Sequence, residues 1–73
     1  MTTNWNSILS DRNSVVAARL FAQGDWSGAD FYSYHVNTNS GGEVRSLLRA
    51  EGGVSRARTL ARKALNRRFV TVN

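Results

Sequence analysis

The 73 residues suffice for one domain, and ten basic against five acidic side chains give a net charge of +5. The chain holds no cysteine and one histidine, which excludes disulfide bonds, thiolate metal sites and a zinc site of nitrogen and sulfur ligands within one chain. No phosphate-binding loop, zinc-protease motif or cysteine nucleophile occurs, so we expect neither an enzyme nor a cofactor.

The positive charge is concentrated in the C-terminal part of the chain. Residues 1–42 carry two arginines against three aspartates, a net charge of −1, whereas residues 43–73 carry eight basic residues against two glutamates, a net charge of +6. Nine of the ten cations are arginines, whose planar guanidinium suits carboxylate and phosphate partners. This distribution indicates an anionic partner, either an acidic protein surface or the phosphates of DNA.

The first thirteen residues are polar, with Trp5, Ile8 and Leu9 as their apolar anchors. We expect a flexible N-terminal segment over residues 1–13, in which Trp5 either packs on the domain or anchors a partner. The same residues lack a charged segment and a long apolar run, so no signal peptide is expected. No stretch is long and apolar enough to span a membrane, and the absence of cysteine fits a cytoplasmic protein.

Residues 14–73 are predicted to form a single small α+β domain that begins with a helix over residues 14–24. Asn13 or Ser14 can cap this helix, and Gly24 stands where a terminating glycine belongs. Four apolar side chains are expected on its buried side: Val15, Val16, Leu20 and Phe21.

The aromatic and β-branched residues 31–38 are predicted to form a strand. Alternation would turn Tyr32, Tyr34 and Val36 towards the core and Phe31 and His35 away from it. His35 is then a surface histidine, and no acid or nucleophile is spaced near it for catalysis.

A short helix over residues 43–51, a break at Gly52 and Gly53, and a helix over residues 54–68 follow. Residues 69–73 alternate and are predicted to form a strand that pairs with residues 31–38. The predicted fold class is therefore α+β, with three short helices and a minimal two-stranded antiparallel sheet in a loosely winged-helix-like order.

The helix over residues 54–68 places an apolar stripe at helical period, and its basic side chains point away from that stripe. The stripe consists of Val54, Ala57, Leu60, Ala61, Ala64 and Leu65. The candidate partner-binding residues are the basic residues of this helix and the apolar anchors of the N-terminal segment: Arg56, Arg58, Arg62, Lys63, Arg67, Arg68, Trp5, Ile8 and Leu9.

A short helix, a glycine turn and a basic helix are similar to a helix-turn-helix. Leu48 stands where that motif favours a small residue, and Arg58 stands where it favours an apolar one. These two departures disfavour a DNA-reading helix-turn-helix, so a direct DNA-binding, winged-helix-like repressor with contacts to DNA phosphates is kept as an alternative function. A small inhibitor of a host defence protein is a further alternative.

The chain as a whole resembles small phage-encoded transcription regulators that bind host RNA polymerase, of the type found in phages of Xanthomonas. The resemblance rests on length, on an arginine-rich composition without cysteine or proline, on the opening M-T-T-N-W-N-S-I-L and on the ending A-R-K-A-L-N-R-R-F-V-T-V-N. It implies that the chain binds the large subunit of bacterial RNA polymerase, and we expect a monomer in the cytoplasm of the bacterial host cell. It further implies inhibition of initiation and promotion of antitermination, with no chemistry performed.

Overall fold

The computed structural model describes residues 3–50 and 52–69, and every regular element within these ranges is an α-helix. Five helices follow one another: α1 (Trp5–Ile8), α2 (Arg12–Ala22), α3 (Gly28–His35), α4 (Gly41–Arg49) and α5 (Gly53–Phe69). The expected α+β fold with a two-stranded antiparallel sheet is therefore wrong. Most of the first predicted strand belongs to α3, and Phe69 ends α5, while residues 70–73 lie outside the described residues.

The start of α3 explains why these residues form a helix. The Ser27 hydroxyl accepts the backbone N–H of Asp30 at 3.1 Å, and the Asp30 carboxylate accepts the backbone N–H of Ser27 at 3.4 Å. This reciprocal capping box satisfies two N–H groups that a helix otherwise leaves unpaired. Phe31 and His35, one helical turn apart, both lie on the buried face, so the predicted alternation of a strand is reversed at both positions.

The core forms where α2 packs on α5 and on α3, while α4 packs on both α3 and α5. The rings of Phe21 and Phe31 stack with centroids 4.5 Å apart and an interplanar angle of 9°. The buried faces of α2 and α5 carry small side chains, which lets the two helices lie close together; they are Ala17, Ala18, Ala57, Ala61 and Ala64. The radius of gyration of 11.2 Å equals the value of about 11 Å expected for one compact domain of this length.

The prediction of a helix over residues 54–68 is confirmed by α5, which is one residue longer at each end. Gly52 and Gly53 have φ angles of +103° and +63°, which only glycine adopts freely, so the predicted break is also confirmed. The apolar stripe is less deeply buried than expected, because Val54 is exposed and Leu60 is only half-buried.

The predicted helices before and after α3 are present with shifted boundaries. Asp11, rather than Asn13 or Ser14, caps α2, and Gly24 follows its end with a φ angle of +90°. Val16 was expected in the core, but 48% of its surface is exposed.

The short α1 is held against the N-terminal end of α4. The Ser40 hydroxyl donates to the Ser7 carbonyl at 2.7 Å, and the Glu43 carboxylate accepts the backbone N–H of Asn4 at 3.0 Å. Ile8 and the following Leu9 are buried in the same core as the longer helices. The mobility expected for residues 1–13 stays a prediction.

Candidate functional site

The acidic side chains are largely committed to helix N-termini. Asp11 accepts the backbone N–H of Ser14 at 2.8 Å, and this hydrogen bond holds the pKa of the Asp11 carboxyl below its ordinary value. Asp30 closes the capping box with Ser27, and Glu43 accepts a backbone N–H at the start of α1. Carboxylates are favourable at these places because helix N-termini carry partial positive charge. Three of the five acids therefore serve the fold and do not neutralise the arginines.

The basic residues of α5 do not form one face. At about 100° per residue, Arg56, Lys63 and Arg67 fall within a sector of about 40°, and all three are exposed. We call these three residues the basic flank. Arg62 lies about 120° around the helix from the centre of this sector, where it borders a shallow depression next to α2. The sequence predicted these four residues as one surface, whereas the helix separates them into two.

Arg58 is half-buried and has a structural role. Its Nε donates to the Phe21 carbonyl at 3.0 Å, and its Nη2 donates to the Trp26 carbonyl at 3.1 Å. The guanidinium also lies over the Phe21 ring, 5.2 Å from its centroid. Arg58 thus fastens α5 to the end of α2 and to the loop before α3, which corrects the prediction that it points to solvent.

Arg68 and Phe69 lie together at the end of α5, next to α2. Arg68 donates to the Asn6 side-chain oxygen at 2.7 Å, and its guanidinium carbon lies 5.7 Å from the centroid of the Phe69 ring. The guanidinium carbon of Arg19 lies 5.8 Å from the same centroid. In the part of the chain that the structure describes, arginine hydrogen bonds go to carbonyl and amide oxygens, and none goes to a carboxylate.

The three apolar anchors of the N-terminal segment differ in accessibility. Ile8 and Leu9 are buried, with 0% and 2% of their surfaces exposed, so they offer a partner almost no surface. Trp5 is half-buried and packs against the core cluster. These side chains hold α1 in place, and Trp5 alone of the three retains accessible surface.

His35 is enclosed by the fold, which corrects its expected place at the surface. Its ring Nδ1 lies 3.3 Å from the Thr38 hydroxyl oxygen. The single proton of that hydroxyl is donated to the His35 carbonyl at 2.8 Å, and the same oxygen accepts the backbone N–H of Ser40 at 3.0 Å. Nδ1 must therefore be the donor, which leaves the buried Nε2 as an acceptor without a hydrogen-bond partner among the described residues.

The surroundings of His35 favour its neutral form. The ring makes edge contacts with the aromatic rings of Phe31 and Tyr34, at centroid distances of 5.1 and 4.9 Å. Burial lowers the pKa of His35, and the negative charge of Asp11 opposes this shift only in part. His35 therefore belongs to the packing of α3 and the turn that follows it.

No binding role was expected for α2, and Arg12, Val16 and Arg19 were not among the candidate partner-binding residues. Their spacing of i, i+4 and i+7 places them on one face of a helix. All three are exposed, and all three border a groove beside the end of α5. This spacing, with a valine between two arginines, was the sequence pattern that could have indicated an exposed face of α2 with apolar and basic side chains.

Within residues 3–50 and 52–69, no group of three or more histidine, aspartate or glutamate side chains is arranged to hold a metal ion. None of the described helices has the length and apolar character needed to cross a membrane. Comparisons of the chain with models of protein families, with curated proteins and with solved structures gave no match.

Proposed function

We propose that this chain is a phage-type transcription regulator that binds the large subunit of bacterial RNA polymerase and inhibits initiation or promotes antitermination. It acts by docking and performs no chemistry. The observation that carries the docking proposal is the basic flank of Arg56, Lys63 and Arg67. The choice of polymerase as the partner is supported by the sequence resemblance.

The basic flank suits an acidic protein surface. Its three cations lie on one rigid helix, and no acidic residue follows Glu51 in the sequence. Three of the remaining acids are held at helix N-termini, as described above. Such an unneutralised group of cations steers association with an acidic partner and fixes its orientation.

Duplex DNA is the second candidate partner. The short turn between α4 and α5 favours it, because a basic helix after a short helix and a turn is the arrangement of helix-turn-helix proteins. The expected wing is contradicted, since no strand occurs within the described residues.

The test is charge reversal on the basic flank. Lys63→Glu with Arg67→Glu should leave the fold intact, because both side chains are exposed. The double variant should bind polymerase about tenfold or more weakly at low salt, chiefly through a slower association rate, and the difference should shrink as salt rises. The matched control is Arg45→Glu with Arg49→Glu, which makes the same charge change on exposed positions of α4.

Binding is measured with purified polymerase in the absence of DNA and, separately, with duplex DNA alone. We expect polymerase to bind the wild type, and duplex DNA to bind only at non-specific strength, about 10⁻⁴–10⁻⁶ M. Specific duplex binding in the nanomolar range without polymerase would refute the proposal in favour of DNA recognition. If both double variants bound polymerase with equal affinity, the basic flank would not be part of the interface.

A further inference from the structure

A groove of about 500 Å³ lies between the first part of α2 and the end of α5. Its apolar lining includes Leu9 and Val15, which also contribute to or pack on the core. Val16 and Phe69 line the same groove, although 48% and 41% of their surfaces are exposed. Large apolar side chains at this exposure leave an apolar surface that a partner could bury favourably.

Three arginines border this apolar surface. Arg12, Arg19 and Arg68 all line the groove. The guanidinium groups of Arg19 and Arg68 lie over the Phe69 ring, which holds them beside the apolar surface. The acid in the lining, Asp11, is committed to capping α2. The groove therefore combines an apolar centre with a cationic border.

The cationic border continues along the seam between α2 and α5. Arg19 also lines the next depression, of about 220 Å³, together with Arg62, Leu65 and Asn66. The two depressions share Arg19, so together they follow the line of the two helices. This elongated shape suits one helical segment of a partner, laid into a groove along its apolar side.

We infer that the α2–α5 groove binds an acidic amphipathic helix of a partner protein, with apolar side chains over Val16 and Phe69 and carboxylates paired with the arginines. The inference goes beyond the polymerase proposal and does not depend on it, because the groove and the basic flank lie on opposite sides of α5. Guanidinium groups form paired hydrogen bonds with carboxylates while they stack on an aromatic ring, so this border is already arranged for acidic side chains.

A nucleic acid fits the groove less well. Binding of single strands uses several aromatic faces on which successive bases stack, whereas Phe69 is the one aromatic side chain among the described residues that line the groove. The aliphatic surface of Val15 and Val16 offers a phosphate backbone nothing to pair with. A partner helix with leucine or phenylalanine side chains flanked by glutamate or aspartate matches the groove better, because its apolar side chains suit the apolar centre and its carboxylates suit the cationic border.

The test uses the full-length protein and a fluorescent acidic peptide with leucines at helical spacing. A scrambled peptide of the same composition and a single-stranded oligonucleotide are the comparison probes. We expect the amphipathic peptide to shift backbone amide signals at Val16, Arg19 and Phe69, and to bind more tightly than the scrambled peptide. Val16→Glu should weaken its binding about tenfold or more, because it places a carboxylate at the apolar centre.

Matched variants separate this effect from a general one. Val36→Glu makes the same change at a valine that is 46% exposed after α3, and it should leave peptide binding unchanged. Arg19→Glu should weaken binding, whereas Arg45→Glu on α4 should not. The double variant Lys63→Glu with Arg67→Glu should bind the peptide as the wild type does, so failure of the polymerase proposal is distinguishable from failure of this one.

Three results would overturn the inference. The first is equal binding of the peptide by the Val16→Glu and Val36→Glu variants. The second is an oligonucleotide that displaces the peptide and shifts the same amide signals, which would assign the groove to a nucleic acid. The third is self-association of the protein in sedimentation that Val16→Glu abolishes, which would assign the groove to a second copy of the chain.

Discussion

Replacement of Arg58 by alanine should destabilise the protein far more than replacement of any exposed arginine. The variant loses two charge-assisted hydrogen bonds and the contact with the Phe21 ring. The Phe21 carbonyl keeps the backbone N–H of Gly24 at 3.1 Å, so the penalty for an unpaired acceptor is confined to Trp26. Charge-assisted hydrogen bonds contribute about 1.5–3 kcal/mol each, and Arg58 is half-buried. We therefore expect a loss of about 2–4 kcal/mol.

The measurement is thermal unfolding by circular dichroism, with urea denaturation at one temperature. For a domain of this size the loss corresponds to a fall in melting temperature of about 13–26 °C. Arg58→Lys keeps the charge but not the fork that reaches two carbonyls, so it should lose about half as much. Arg62→Ala, one turn further along α5 and exposed, should change stability by less than about 0.5 kcal/mol. If the melting temperatures of Arg58→Ala and Arg62→Ala differed by less than about 2 °C, the structural role of Arg58 would be refuted, and Arg58 would again be a candidate partner-binding residue.

Three further predictions concern stability. The pKa of His35 is lower in the folded than in the unfolded chain, so the free energy of unfolding contains the full contribution of His35 above about pH 6.5 and falls by up to about 1.4 kcal/mol per pH unit below that value. In urea denaturation, His35→Gln should lack this dependence on pH. A dependence that persists in the variant would contradict the assignment of this slope to His35. Leu47→Ala should cost about 2–5 kcal/mol because Leu47 is buried, and Leu60→Ala about half as much; equal melting temperatures would contradict this difference. Gly52→Ala should destabilise by about 1 kcal/mol or more at a φ angle of +103°, whereas Gly42→Ala, in helix α4 with open space around it, should stabilise by about 0.5–1 kcal/mol in the same melts.

The helices that the sequence predicted well have local signals that agree with their packing. Residues 54–68 show an apolar stripe at helical period after two glycines, and both features are retained in the structure. The segment around Phe31 has aromatic and β-branched residues that favour a strand. Its helical signals were the pair Ser27 and Asp30, which form a capping box, and the helical spacing of Phe31 and His35. Stacking of Phe31 on Phe21 is a contact between distant parts of the chain, and alternation within one segment cannot reveal it.

The sequence predicted the positive charge of the candidate site, but it did not predict that the basic residues of α5 lie on different sides of the helix. Composition indicated an anionic partner, and most cations of α5 are indeed exposed. The sequence could not show that Arg58 reaches backbone carbonyls on α2 and beyond it, because those acceptors are 37 and 32 residues away along the chain. The groove was missed for the same reason, since Val16 and Phe69 come together only when α2 packs on α5.

The packing of α2 on α5 fixes both proposed surfaces at once. The alanines at positions 57, 61 and 64 form the one stripe of α5 small enough for close packing on α2, so they set the rotation of the helix about its axis. Arg58 locks that rotation through the carbonyls of Phe21 and Trp26. A rotation of α5 by one residue, about 100°, would move the basic flank to another face of the molecule and would separate Phe69 from Arg19. Arg58, which is bound to two backbone carbonyls of the fold, therefore determines where the arginines of both proposed surfaces point.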